Sequence, residues 1–84
     1  MIRPQAIRKE VLLQLYGSQS IAISPLLIQR QARTIGFDYA VTEIRDACNF
    51  LRSQGFADEL LDQSSGEVRY RITSKGVIEH ENNS

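Results

Sequence analysis

The chain has 84 residues, 42% of them apolar, with ten Lys plus Arg balanced by ten Asp plus Glu. That is the length of one domain, and the composition fits neither a disordered chain nor a membrane protein. A domain this small buries a modest share of its surface, which leaves little material for the walls of an enclosed catalytic cleft.

In chain order, Met1-Ile2-Arg3-Pro4-Gln5 lacks the apolar stretch and small-residue cleavage site of a secretion signal. Pro4 suits the first turn of a helix, where its missing N–H would have no partner anyway. Ile7, Val11, Leu12 and Leu15 then recur at helical spacing, with Arg8 and Lys9 off the apolar stripe and Gly17 placed to end the helix as a left-handed cap. Ser18-Gln19-Ser20 reads as a loop. Ile21-Ala22-Ile23 reads as a short β-branched strand, placed to pair with a sheet edge formed later. Ser24 and Pro25 supply the N-cap and first residue of a second helix. Its apolar side holds Leu27 or Ile28, then Ala32 and Ile35, with Arg30 and Arg33 off that side and Gly36 at its end.

Phe37-Asp38-Tyr39-Ala40 forms the turn, with Asp38 as the expected N-cap of a third helix. Ile44, Ala47, Cys48 and Leu51 give that helix a clean apolar stripe, Gly55 ends it, and Phe56 folds back toward the core. The period then changes to two. Val68, Tyr70 and Ile72 alternate with Arg69 and Arg71 as in a half-buried strand, and residues 56–61 supply its partner, although Leu60-Leu61 breaks the alternation. Asp62 to Glu67 is rich in turn residues and reads as the hairpin tip. Thr73-Ser74 caps a short last helix through Val77 and Ile78, and a polar tail follows from Glu81. The expectation is one α+β domain over residues 1–84: a three-helix bundle followed by a two-stranded hairpin.

The order helix, short strand, helix, turn, helix, hairpin resembles the winged helix-turn-helix superfamily. Ile44-Arg45-Asp46-Ala47-Cys48-Asn49-Phe50-Leu51-Arg52-Ser53-Gln54-Gly55-Phe56 is similar to the recognition-helix region of bacterial winged-helix regulators, with Cys48 where leucine is commoner. Tyr70-Arg71-Ile72-Thr73-Ser74-Lys75-Gly76 resembles the end of the wing, and Ala32 and Gly36 have the small-residue and turn-glycine spacing of the helix-turn-helix unit. The resemblance runs from Pro4 to Ile78 and implies binding of double-stranded DNA by a small transcriptional regulator, with the third helix in the major groove.

Under that reading the outward positions of the third helix are Thr42, Glu43, Arg45, Asp46 and Asn49. Arg45 has the fork for a guanine edge and Asn49 the amide for an adenine. Thr42 and Tyr39 stand near the helix start for phosphates, and Arg30, Gln31 and Arg33 on the second helix for backbone contacts. Arg69 and Arg71, with Ser64 and Ser65 at the tip, would lie over the neighbouring groove.

Each residue also has a plainer reading. Arg45 and Asp46 suit an ordinary solvated helix face. Glu43 and Asp46 oppose phosphate unless they accept from cytosine amino groups. Asp58, Glu59, Asp62 and Glu67 surround Arg69 and Arg71, so cross-strand pairing would consume those arginines locally. Charge is uneven: residues 1–56 hold seven basic and four acidic side chains, and residues 57–84 hold three basic and six acidic.

Cys48, on the apolar stripe, reads as a buried structural thiol. His80 stands between Glu79 and Glu81 with no cysteine nearby, so no metal site or cofactor is expected. No nucleophile–base pair or phosphate loop stands out, and no enzyme activity is expected. Two other classes stay open: a winged-helix adaptor that docks proteins, favoured by the neutral charge, the acidic wing and an exposed Phe50, and a small accessory enzyme, which needs a pocket of convergent polar groups. The short last helix, and the absence of a long helix before Pro4, point to a monomer or weak homodimer in the cytoplasm, with no membrane partner.

Overall fold

Three apolar stripes too narrow to be buried alone are closed against one another by a hairpin. The computed structural model describes residues 2–83; Met1 of the N-terminal stretch and Ser84 of the tail lie outside them. The elements are α1 (Arg3–Ser18), α2 (Pro25–Thr34), α3 (Val41–Ser53), β1 (Ala57–Leu61), β2 (Val68–Ile72) and α4 (Ser74–Asn82). This is the winged helix-turn-helix arrangement, with the β1–β2 hairpin as the wing.

The core takes Ile7, Val11, Leu12 and Leu15 from α1, Ile28 and Ala32 from α2, and Ile44, Ala47, Cys48 and Leu51 from α3. Every position of the third-helix stripe is therefore inside. On α2 the choice between Leu27 and Ile28 falls to Ile28, which is fully buried. Ile35, expected on the same side, is 60% exposed. The helix ends at Thr34, so Ile35 falls off the helical stripe. Ser24 caps α2 as expected, its hydroxyl accepting the Leu27 N–H at 3.2 Å, and Gly36 and Gly55 take the positive φ values of 98° and 81° that end α2 and α3.

Two caps differ from the expected ones. Gly17 does not end α1. The helix runs to Ser18, and Gln19 adopts the positive φ of 55°. The Gln19 backbone N–H closes onto the Leu15 and Tyr16 carbonyls, and its side-chain amide donates to the Tyr16 carbonyl at 2.8 Å. Asp38 does not cap α3, because the helix starts two residues later, with Ala40 at the N-cap position. Alanine has no side-chain acceptor, and Glu43 serves instead by accepting the Ala40 N–H at 3.0 Å. Arg3 grips the same carboxylate through Nε at 2.6 Å and a second nitrogen at 2.9 Å, pinning the start of α1 to the start of α3. That fork and the Ala40 N–H hold Glu43 well below its ordinary 4.5, at about 2.

In the wing, Ala57 lies opposite Ile72, Glu59 opposite Tyr70 and Leu61 opposite Val68, so these six share one face. The broken alternation at Leu60-Leu61 ends with Leu61 56% exposed, and the exposed Glu59 accepts from the Tyr70 hydroxyl at 2.8 Å. The expected strand at residues 21–23 contracts to a single antiparallel bridge, in which Ile23 and Tyr70 exchange both backbone hydrogen bonds at 2.8 Å. After the wing, Thr73 caps α4 by accepting the Gly76 N–H at 3.0 Å. The helix continues to Asn82, so residues 81 and 82 of the expected loose tail are helical. Among the described residues no helix is long and apolar enough to cross a membrane.

Two outcomes follow. A Cβ at Gly76 would collide with the Phe56 carbonyl oxygen and sit 2.8 Å from Ile72 Cγ1, whereas at Gly17 it meets nothing within 4 Å. Gly76→Ala is therefore expected to destabilise the fold by about 3 kcal/mol, and Gly17→Ala to stabilise it by about 0.5 kcal/mol, both read by urea denaturation. Glu43 has a folded-state pKa below its unfolded one, so its contribution is complete above 4.5 and lost as pH falls toward about 2. Acid denaturation of Glu43→Gln should lack that component and show a flatter loss of stability across the window.

Candidate nucleic-acid interface

The exposed side of α3 is divided by the same periodicity that builds the core. Thr42, Arg45 and Asn49 stand at intervals of three and four residues and share one stripe opposite Ile44, Ala47, Cys48 and Leu51. All three are exposed. Glu43 and Asp46 fall on the flank nearer α1, where they line a cleft with Pro4, Ile7 and Arg8. The carboxylates that oppose phosphate are thus set apart from the Arg45–Asn49 stripe, and Glu43 is further neutralised by Arg3.

On α2, Arg30, Gln31 and Arg33 are exposed on the side away from Ile28 and Ala32. Among the described residues, no carboxylate lies within ion-pair distance of Arg30, Arg33 or Arg45. These three guanidiniums stand free on the helix-turn-helix.

The wing differs. Arg69 binds Glu67 at 2.8 Å and Asp62 at 3.3 Å, and Arg71 stands 4.0 Å from Asp58. At the tip, Asp62 accepts from the Ser64 hydroxyl at 2.8 Å and from its N–H at 3.0 Å, which holds the Asp62 carboxyl below its usual value. Ser65 accepts the Glu67 N–H at 3.2 Å. The arginines and serines expected to reach toward a groove are engaged inside the hairpin.

Between α3 and the wing runs a cleft of about 480 Å³, lined by Arg45, Asn49, Glu59, Glu67 and Tyr70 together with the start of α2. Tyr70 forms its floor and is 3% exposed. Its hydroxyl lies 3.2 Å from the Asn49 side-chain oxygen as well as 2.8 Å from Glu59. A hydroxyl carries one proton, and the shorter contact to Glu59 takes it. Turned end for end, the Asn49 amide would donate its N–H to the Tyr70 oxygen, which completes the chain Asn49–Tyr70–Glu59. Burial and the Glu59 carboxylate both push the Tyr70 phenol up, so it remains a neutral donor.

Tyr39 departs from expectation. Placed by the sequence near the phosphates, it is 7% exposed. Its ring stacks on Phe37 at 5.5 Å, and the Arg3 guanidinium lies 5.2 Å from its centroid. Tyr39 packs into the core while Phe37, 42% exposed, stacks on it from the solvent side. Cys48 is fully buried and its thiol is pushed up to about 12 by that burial, which makes it inert. His80 stacks on Tyr16 at 4.3 Å, and no group of three His, Cys, Asp or Glu comes together among the described residues. Sequence reasoning missed the Tyr70–Asn49–Glu59 chain and the Arg3–Glu43 fork, because each joins residues 11 to 40 positions apart. The one available signal was a tyrosine on the buried side of a strand, since a buried hydroxyl needs a partner.

No protein-family model matches the chain, and no curated protein does. Two solved structures are similar to it. One is a transcriptional regulator from Clostridium thermocellum, Cth-833, with a TM-score of 0.81 and 16% identity over 99% of this chain and 84% of that one. The other is SSV1 F-93, with a TM-score of 0.71 and 26% identity over 98% of this chain and 82% of that one. The chain therefore has the fold of a known transcriptional regulator over almost its whole length.

Proposed function

We propose that this chain is a small DNA-binding protein that regulates transcription, docking α3 in the major groove of double-stranded DNA. The observation that carries the reading is the contrast in arginine pairing: Arg30, Arg33 and Arg45 on the helix-turn-helix have no carboxylate partner among the described residues, whereas Arg69 and Arg71 on the wing do. A free guanidinium exchanges counterions for phosphate, while a paired one must first break its own ion pair. The shared fold with a transcriptional regulator supports the same reading.

Arg45 and Asn49 face bases, with Thr42 beside them at the helix start, and Asp46 lies on the flank away from that stripe. Arg30, Gln31 and Arg33 hold the phosphates. The wing acts mainly as a brace, positioning Asn49 through Tyr70 and leaving Arg69 and Arg71 a minor share. A single copy reads only a short site, so sequence discrimination by the monomer is modest.

The adaptor alternative rests on the neutral charge, the acidic wing and an exposed Phe50. Phe50 is 37% exposed, but the Arg8 guanidinium lies 3.7 Å from its ring centroid. That cation covers one face of the ring.

The test is fluorescence anisotropy on mixed-sequence duplex DNA across a salt series. Affinity should fall with salt, and the log–log slope should drop by about one for each phosphate-binding arginine removed in Arg30→Ala/Arg33→Ala. Arg69→Ala/Arg71→Ala should leave the slope nearly unchanged. In a selection for preferred sites, Arg45→Ala should relax discrimination by roughly tenfold. A folded protein that shows no salt-dependent binding would refute the proposal and leave the adaptor role standing.

A further inference from the structure

Behind α3, on the side away from the Arg45–Asn49 stripe, α1, the end of α3 and α4 enclose a second groove of about 490 Å³. Its volume lies within the range of small-molecule sites. The base is apolar: Leu12 and Leu51 are nearly buried, Phe56 is half-buried, and the Phe50 edge is open. The rim carries Arg8 and Lys9 from one turn of α1, and neither has a carboxylate within ion-pair distance among the described residues. Arg8 instead spreads its guanidinium over Phe50 at 3.7 Å, and among the described residues its N–H groups have no side-chain acceptor.

The groove also contains one acid, Glu79, whose carboxylate takes the Asn83 side-chain amide at 2.9 Å rather than either cation. Two cations therefore face one carboxylate along this groove, and Arg8 also borders the neighbouring cleft that holds Glu43 and Asp46.

From an apolar base bordered by two cations that have no ion pair among the described residues, we infer a binding site for a small amphipathic monocarboxylate, with an aromatic or branched apolar body. The body lies against Leu12, Leu51, Phe50 and Phe56, and the carboxylate accepts from Arg8 and Lys9. A guanidinium already oriented by an aromatic face presents its planar fork to a carboxylate at little ordering cost. The site is separate from the proposed DNA face and stands whether or not that reading holds. Because Phe50 and Leu51 belong to α3, an occupant would touch the helix that carries Arg45 and Asn49.

The experiment is a heteronuclear NMR titration of the full chain with 4-phenylbutyrate, using the uncharged 4-phenylbutyramide as its twin. Saturable shifts are expected at the amides of Leu12, Phe50, Leu51 and Phe56, with the carboxylate binding roughly tenfold more tightly than the amide. In Arg8→Gln/Lys9→Gln, changes at a half-buried and an exposed position outside the core cluster, that preference should vanish while weak binding of both compounds persists. Equal binding of acid and amide to the unaltered protein would overturn the inference. So would shifts centred elsewhere, or an absence of saturable shifts.

Discussion

Tyr70 ties together three parts of the chain that are distant in sequence. Its backbone exchanges two hydrogen bonds with Ile23, just before α2. Its ring fills the core beside α3, and its hydroxyl reaches Glu59 on the other wing strand and Asn49 on α3. An isolated two-stranded hairpin is marginal in water, and this wing persists because one of its residues is both a core side chain and a backbone bridge. Removing the hydroxyl alone would cut its links to Asn49 and Glu59, while Glu59, which is exposed, keeps Arg52 at 3.8 Å. The geometry of the α3–wing cleft therefore depends on a single residue of β2.

A second tie acts at the other end of α3. Arg3 and the Ala40 N–H both use the Glu43 carboxylate, so the helix start is held by α1 rather than by a conventional capping side chain. With Tyr70 near its middle and Arg3 at its start, α3 is fixed in rotation as well as position. That fixation is what gives its exposed stripes distinct characters: Thr42, Arg45 and Asn49 on one, Glu43, Asp46 and Phe50 on the other, toward α1. A protein with no net charge can in this way still present a locally cationic face.

The elements readable from the sequence were those whose signals are local. The α3 stripe, the Ser24-Pro25 start of α2, the glycine ends at Gly36 and Gly55 and the alternation of β2 each depend on neighbours within a few residues, and each stands as read. Misplaced features had competing local solutions settled by tertiary contacts. The positive-φ end expected at Gly17 falls at Gln19 because the helix runs two residues further. Asp38 lost the cap to Glu43 because Arg3 oriented the latter. Ile21–Ile23 kept only the one pairing that Tyr70 offered. For the candidate interface, exposure of Arg30, Arg33, Arg45 and Asn49 followed from periodicity alone. The burial of Tyr39 involves Phe37 of the same turn and Arg3 from the distant start of α1. The pairing of the wing arginines was anticipated from the density of acids around them, although the specific partners required the register.

The central claim is that α2 and α3 form the DNA face, with the wing as brace. Its most direct test is amide mapping by NMR on the full chain during titration with a short mixed-sequence duplex at low salt. The account predicts shifts concentrated in residues 30–33 and 42–49, with the hairpin tip from Asp62 to Glu67 little changed. Shifts centred on the tip, or spread evenly over the surface, would contradict it.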